Sequence, residues 1–191
     1  MKTIGRSILA AGAIAVALGL VPFAAQALVI TPAGTTCTTD VNSNLGQGAV
    51  EALALSCFGF AGDLSLAYKD NVGGSEEGSF AGSYDTTFSN SPGDPADALV
   101  TWLQGQPIIN CPSCFLLVKD GNHEPAQYLF DISAWDGMED LDLSGFWPQQ
   151  GAISNIAIWV GEDFRQQVPE PGSLALIGIA LLGLAARRRR S

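Results

Sequence analysis

Phe115-Leu116-Leu117-Val118-Lys119-Asp120-Gly121-Asn122-His123-Glu124-Pro125-Ala126-Gln127-Tyr128-Leu129-Phe130-Asp131-Ile132 is the stretch that decides the fold. Two β-rich runs, Phe115 to Lys119 and Gln127 to Ile132, flank Asp120-Gly121-Asn122. An Asp-Gly step tolerates the positive φ of a hairpin turn, so the two runs are expected to pair. The same rhythm continues outward, with short β-rich runs set off by Gly, Ser, Asn, Asp and Pro. Upstream, Leu64, Leu66 and Tyr68 alternate with Ser65, Ala67 and Lys69, the period of a half-buried strand, and Asn71-Val72-Gly73-Gly74 ends it. Phe80, Tyr84 and Phe88 are evenly spaced through Ser79 to Phe88, although Gly82 interrupts them. Residues Asn90 to Pro95 form a loop by composition, and Ala98 to Leu103 is a strand with Trp102 on one face. Downstream, Leu141 to Ser144 and Ile153 to Val160 supply two more, the latter with Ile156, Ile158 and Val160 on one face. Val50 to Phe58 is divided. Its Ala and Leu content suits a helix, but Cys57-Phe58-Gly59-Phe60 reads as strand, and strand is the reading adopted. With no long amphipathic helix and no repeat, the expected fold is all-β, an antiparallel β-sandwich of jelly-roll type.

The two ends of the chain follow other rules. Lys2 and Arg6 precede an apolar stretch from Ile8 to Leu20, and Pro22 leads into Ala25-Gln26-Ala27. That order of charge, apolar run and small residues is a secretory signal, with cleavage expected after Ala27. At the other end, Val168-Pro169-Glu170-Pro171-Gly172 opens an apolar run from Ser173 to Ala186, which Arg187, Arg188, Arg189 and Arg190 close. As a helix that run spans about 21 Å, short of a hydrocarbon core of about 30 Å, with its arginines on the cytoplasmic side. The chain thus divides into a signal peptide (1–27), a β-sandwich domain (28–167) and a sorting segment (168–191). An N-terminal signal helix and a short C-terminal transmembrane helix flank the body.

The ordered triad of Val-Pro-Glu-Pro, short apolar segment and arginine cluster resembles the PEP-CTERM sorting signal of exported Gram-negative bacterial proteins. Many of those bacteria make extracellular polysaccharide. The resemblance implies that Pro169, Glu170 and Pro171 are recognised by an exosortase, a membrane-embedded cysteine transpeptidase. It implies a precursor at the inner membrane and a product on the envelope surface or outside the cell. The register of Leu66-Ala67-Tyr68-Lys69, of Gly78 to Tyr84, of Leu117 to Asn122, of Tyr128 to Ser133 and of Gly151 to Ile158 is also similar to the bodies of such precursors. Those bodies are uncharacterised, so this likeness implies kinship and no mechanism.

Without its ends, the body is strongly acidic. Between Leu28 and Val168 only Lys69, Lys119 and Arg165 are basic, against eighteen acidic residues, a net of −15. Such a surface repels phosphate backbones and excludes nucleic acid as a partner. Four cysteines in an exported chain read first as two disulfides. Three connectivities remain open, of which Cys37–Cys57 with Cys111–Cys114 closes the shortest loops. Cys111-Pro112-Ser113-Cys114 is followed by a β-rich run and so lacks the helix N-terminus that a redox motif needs. Four-cysteine zinc is the other alternative.

Few residues suggest chemistry. His123, the sole histidine, is the one base available to a Ser-His-Asp arrangement, but no Gly-x-Ser-x-Gly elbow is present. Asp40, Asn42 and Asn44 alternate as calcium ligands do, set against a plain solvated loop. Asp140 and Asp142, on one face of their strand beside Asp136 and Glu139, form a second calcium candidate; no other cofactor is expected. Paired acids for glycoside hydrolysis would need a cleft. Trp135 and Trp147 lie beside turns and are the tryptophans expected to be exposed as sugar platforms. The functional expectation is a non-enzymatic envelope or matrix protein, structural or adhesive and associated with extracellular polysaccharide. A lectin-like module is the first alternative and a secreted hydrolase the distant one.

Overall fold

The two runs pair as the sequence predicts. Strand β6 (Cys114–Lys119) runs antiparallel to β7 (Gln127–Asp131), from Phe115 opposite Asp131 to Lys119 opposite Gln127. The computed structural model describes residues 27–89, 95–120, 122–147 and 151–161. The expected signal helix, the C-terminal apolar helix, Ala25, Pro169, Glu170, Pro171 and the four arginines lie outside the described residues.

Around the hairpin the chain is mostly β, in two sheets rich in antiparallel pairs, with one short helix. The remaining strands are β1 (Leu28–Ile30), β2 (Thr38–Thr39), β3 (Leu64–Asn71), β4 (Tyr84–Phe88), β5 (Ala98–Trp102), β8 (Leu141–Leu143) and β9 (Asn155–Gly161). One sheet has the order β1-β8-β5-β4 and the other β2-β7-β6-β9-β3. Pairing is not wholly antiparallel: β1, which the sequence reading missed, lies parallel to β8. A single buried cluster draws on both sheets. It includes Val100, Leu141 and Leu143 from the first, and Leu116, Val118, Ile156, Ile158 and Val160 from the second. The shared face expected for Ile156, Ile158 and Val160 is therefore real.

Val50 to Phe58 is not a strand. It lies within helix α1 (Gln47–Phe58), where Ala and Leu, strong helix formers, outweigh the β-like last residues. Gly59 ends it at φ 73°, its N–H bonding back to the carbonyls of Ala54 and Leu55, so the apparent strand glycine is a helix stop. The helix packs across the outer face of the five-stranded sheet, joining Val50 and Ala54 to Leu64, Phe115, Leu117, Leu129, Ala157 and Trp159. Covered on both faces, β6 and β9 are buried along their whole length. That is why they read as continuous apolar runs rather than alternations.

Two further expectations are corrected. Only Tyr84–Phe88 of the run from Ser79 is strand; Gly82, at φ 78°, lies in the turns before it. The simple alternation of Leu64, Leu66 and Tyr68 also fails. A bulge between Leu66 and Tyr68 resets β3, so Leu66 lies opposite Trp159 but Tyr68 opposite Ile158. Tyr68 enters the inter-sheet core, and Lys69, opposite Ala157, moves to the face that carries α1. Gly78, at φ 104°, backs onto this bulge: a β-carbon there would stand 2.5 Å from the Ala67 carbonyl oxygen.

Candidate functional site

The outer face of the five-stranded sheet is apolar under the helix and polar beyond it. The register aligns Gln127 of β7, Lys119 of β6 and Asn155 of β9 in one row, with Lys69 of β3 brought alongside by the bulge. These residues, with Asn44, Glu77, Trp159 and the apolar side chains of Leu45, Leu66, Leu117 and Ala157, enclose a cavity of about 160 Å³. Its lining is unusual for buried polar groups, which ordinarily have partners. Lys119 is 8% exposed, and its Nζ reaches only the Ser154 hydroxyl, at 3.5 Å. No carboxylate among the described residues lies within ion-pair distance of it. Asp120 follows Lys119 in sequence but is committed elsewhere, so it does not neutralise the ammonium. Lys69 has Glu77 at 3.2 Å, a half-exposed carboxylate that also accepts from Asn71.

Two neutral groups in the same lining are incompletely paired. Gln127 is fully buried, and its Nε2 donates to the carbonyls of Val41 (2.6 Å) and Ser43 (3.0 Å), pinning the loop before α1. Its Oε1, on the other branch of the amide, has no partner, and neither has the indole N–H of Trp159. Asn155 donates weakly to Asn44 Oδ1, at 3.4 Å. The cavity lining therefore holds two ammonium groups, one of them paired with the Glu77 carboxylate, and an apolar wall, with an unpartnered indole N–H and amide oxygen buried behind its surface. No histidine or cysteine lines it. Such a set suits recognition of an anionic ligand with an apolar face.

The residues expected from sequence fall elsewhere. Trp135 and Trp147 are buried, contrary to expectation. Trp135 packs on Tyr84 and donates to Glu139 O at 2.7 Å. Trp147 packs on Tyr128 and Phe146, with its Nε1 on Pro125 O at 2.9 Å. Proximity to a turn does not expose the rings, because a backbone carbonyl satisfies each indole, that of Glu139 for Trp135 and that of Pro125, between β6 and β7, for Trp147. Asp40, Asn42 and Asn44 are exposed along the loop that Gln127 pins. Asp142 lies on β8 between Val29 and Leu99, Asp140 precedes it, and the Oδ1 of Asp136 caps the N–H groups of Met138 and Glu139. Among the described residues, no three His, Cys, Asp or Glu side chains converge as a metal site.

The cysteines pair as Cys37–Cys57 and Cys111–Cys114, leaving no free thiol for zinc, and Cys114 opens strand β6 rather than a helix, so the helix N-terminus that a redox motif uses is missing there. His123 Nδ1 lies 2.9 Å from Asp120 Oδ2, a contact the sequence reading did not foresee. The same carboxylate accepts from Asn122 N and Ala152 N, so it organises the turn. No hydroxyl or thiol among the described residues completes a triad with this pair.

Several ionisable groups are shifted by their surroundings. Burial pushes the phenols of Tyr68 and Tyr84 far above the tyrosine range, and that of Tyr128 upward. The Tyr84 hydroxyl also accepts from Ile109 N (2.8 Å) and donates to Gly137 O (2.9 Å), joining two loops. Burial raises the Asp70 carboxyl. The Leu64 N–H, followed by the Gln47 side chain, lowers that of Glu51.

The cavity went unpredicted because its residues are scattered over β3, β6, β7 and β9. One signal was available: polar Lys119, Gln127 and Asn155 at the ends of otherwise apolar runs. Among known proteins, residues 167–190 match the PEP-CTERM protein-sorting motif. No curated protein and no solved structure matches the chain. The motif indicates a secreted, membrane-passing protein that an exosortase processes. Among the described residues, no helix is long and apolar enough to cross a membrane.

Proposed function

We propose that this chain, an exported protein bearing an exosortase-sorting motif, is a structural or adhesive component of the cell envelope or extracellular matrix. It acts by binding, not catalysis, and its partner is extracellular polysaccharide. The observation that carries the reading is the sorting motif at residues 167–190. The disulfides support it, since such bonds persist in oxidising compartments. A body of two sheets around one core, a sandwich in architecture, suits a secreted scaffold. In this reading the signal peptide ends at Ala27, and the precursor rests in the inner membrane of a Gram-negative cell through residues 168–191. The exosortase there recognises Pro169, Glu170 and Pro171. A lectin-like role is favoured by one specific feature, the cavity around Lys119, rather than by Trp135 or Trp147.

Fractionation of host cells tests the proposal, comparing the wild type with a variant carrying alanine at positions 169, 170 and 171. Wild-type protein is expected with the extracellular polysaccharide, and the variant in the inner membrane. A variant distributed like the wild type would contradict exosortase recognition. A wild-type protein released free of polysaccharide would contradict the association.

A further inference from the structure

We infer that the cavity over the polar end of the five-stranded sheet binds a single uronate residue, a carboxylate-bearing hydroxylated ring, with Lys119 Nζ as the main partner of the carboxylate. The ligand class rests on the polysaccharide reading above; the site itself rests on four observations of its own.

The first is charge placement. Of three basic residues in a body of net charge −15, two line this one cavity, and the third, Arg165, lies outside the described residues. The second is an unmet demand. Lys119 is buried with only a neutral hydroxyl at 3.5 Å, and a buried charge is ordinarily retained only with a partner. An entering carboxylate provides one; Lys69, on the same face, is already paired with Glu77, so the charge left unmet in the lining is that of Lys119. Third comes the neutral pair. Trp159 Nε1 lacks an acceptor and Gln127 Oε1 lacks a donor; both atoms lie behind the cavity surface, so a ligand hydroxyl reaches either once the side chain shifts toward it. The fourth is size and shape. An apolar cavity of about 150 Å³ holds benzene, so one of about 160 Å³ takes the ring of one sugar residue with its outward hydroxyl groups left in solvent. Leu45, Leu66, Leu117 and Ala157 give that ring an apolar wall for its C–H faces.

Each simpler ligand leaves part of the lining unused. Phosphate would meet the lysines but not the apolar wall. A neutral sugar would leave Lys119 unpaired. An aromatic carboxylate would give Gln127 Oε1 no donor. The acidic surroundings repel anions in general, so retention depends on the full set of contacts.

The test is calorimetric titration of the exported protein, purified from its host, with glucuronate, galacturonate, glucose, benzoate and inorganic phosphate. A uronate is expected to bind at least about tenfold more tightly than the other three classes, and Lys119→Met to weaken it by about tenfold or more. Phosphate or benzoate binding as tightly as uronate would overturn the assignment. So would unchanged uronate binding by Lys119→Met, whose fold is checked by melting. If that variant does not fold, Lys69→Met and Trp159→Phe take its place, and unchanged affinity in both has the same force. Failure of the two readings is separable. No uronate binding by a protein that still sediments with host polysaccharide overturns the cavity assignment alone. Uronate binding without co-sedimentation overturns the association alone.

Discussion

Replacing Lys119 with methionine should make the unliganded protein more stable. The two side chains have similar length and volume, so the packing of the aliphatic stem against the sheet is largely kept. What disappears is the ammonium of a residue that is 8% exposed, with one marginal partner, the Ser154 hydroxyl at 3.5 Å. That hydroxyl is not orphaned, because it still donates to the backbone carbonyl of residue 119 at 3.0 Å. Exchanging buried ionic groups for apolar ones of like volume commonly stabilises by about 1–4 kcal/mol. The low end, about 1–2 kcal/mol, applies because the cavity gives the charge some access to water. At about 4 °C per kcal/mol, Tm should rise by about 4–8 °C. The assay is thermal unfolding of the two proteins in one neutral buffer without carbohydrate. A fall of several degrees would refute the reasoning, because it would mean that the ammonium is already satisfied and needs no ligand.

The two disulfides should differ in weight: replacing Cys37 and Cys57 by alanine should cost about 3 kcal/mol, and Cys111 with Cys114 about 2 kcal/mol, from sequence separations of 20 and 3. Equal losses in denaturant unfolding, or the reverse order, would contradict this. Tyr84→Phe should destabilise by roughly 2 kcal/mol or more, since it orphans the buried Ile109 N–H and Gly137 carbonyl together; a change within a few tenths in the same assay would show those groups find other partners. All three tyrosines have phenols raised by burial, so the unfolded chain releases their protons at lower pH than the folded one. Stability is therefore expected to be intact below the ordinary tyrosine pKa of about 10 and to fall as pH rises beyond it. Phenolate absorbance should appear together with unfolding; ionisation of Tyr84 in a protein that stays folded would contradict its burial.

Most of the sheet framework was readable from sequence, and the exceptions have physical causes. The hairpin was legible because Asp-Gly chemistry and two apolar runs agree, and β9 because Ile156 to Val160 is a continuous β-rich apolar run. Helix α1 was misread because its stop, Gly59, resembles an interruption in a strand. The bulge in β3 was invisible: Leu64, Leu66 and Tyr68 satisfy a period of two, and only the packing of Gly78 and Phe80 against Ala67 displaces the register. That displacement delivers Lys69 to the cavity, so the site could not be assembled from periodicity alone. Trp135 and Trp147 were misplaced for a different reason. Proximity to a turn says nothing of whether the ring points out, and both indoles are claimed by nearby carbonyls.

Intact-mass analysis of the protein recovered outside the host cell tests the central claim most directly. The expected product starts at Leu28, lacks Arg187 through Arg190, and is lighter by the four hydrogens lost in two disulfides. A full-length, fully reduced chain found in the cytosol would contradict it.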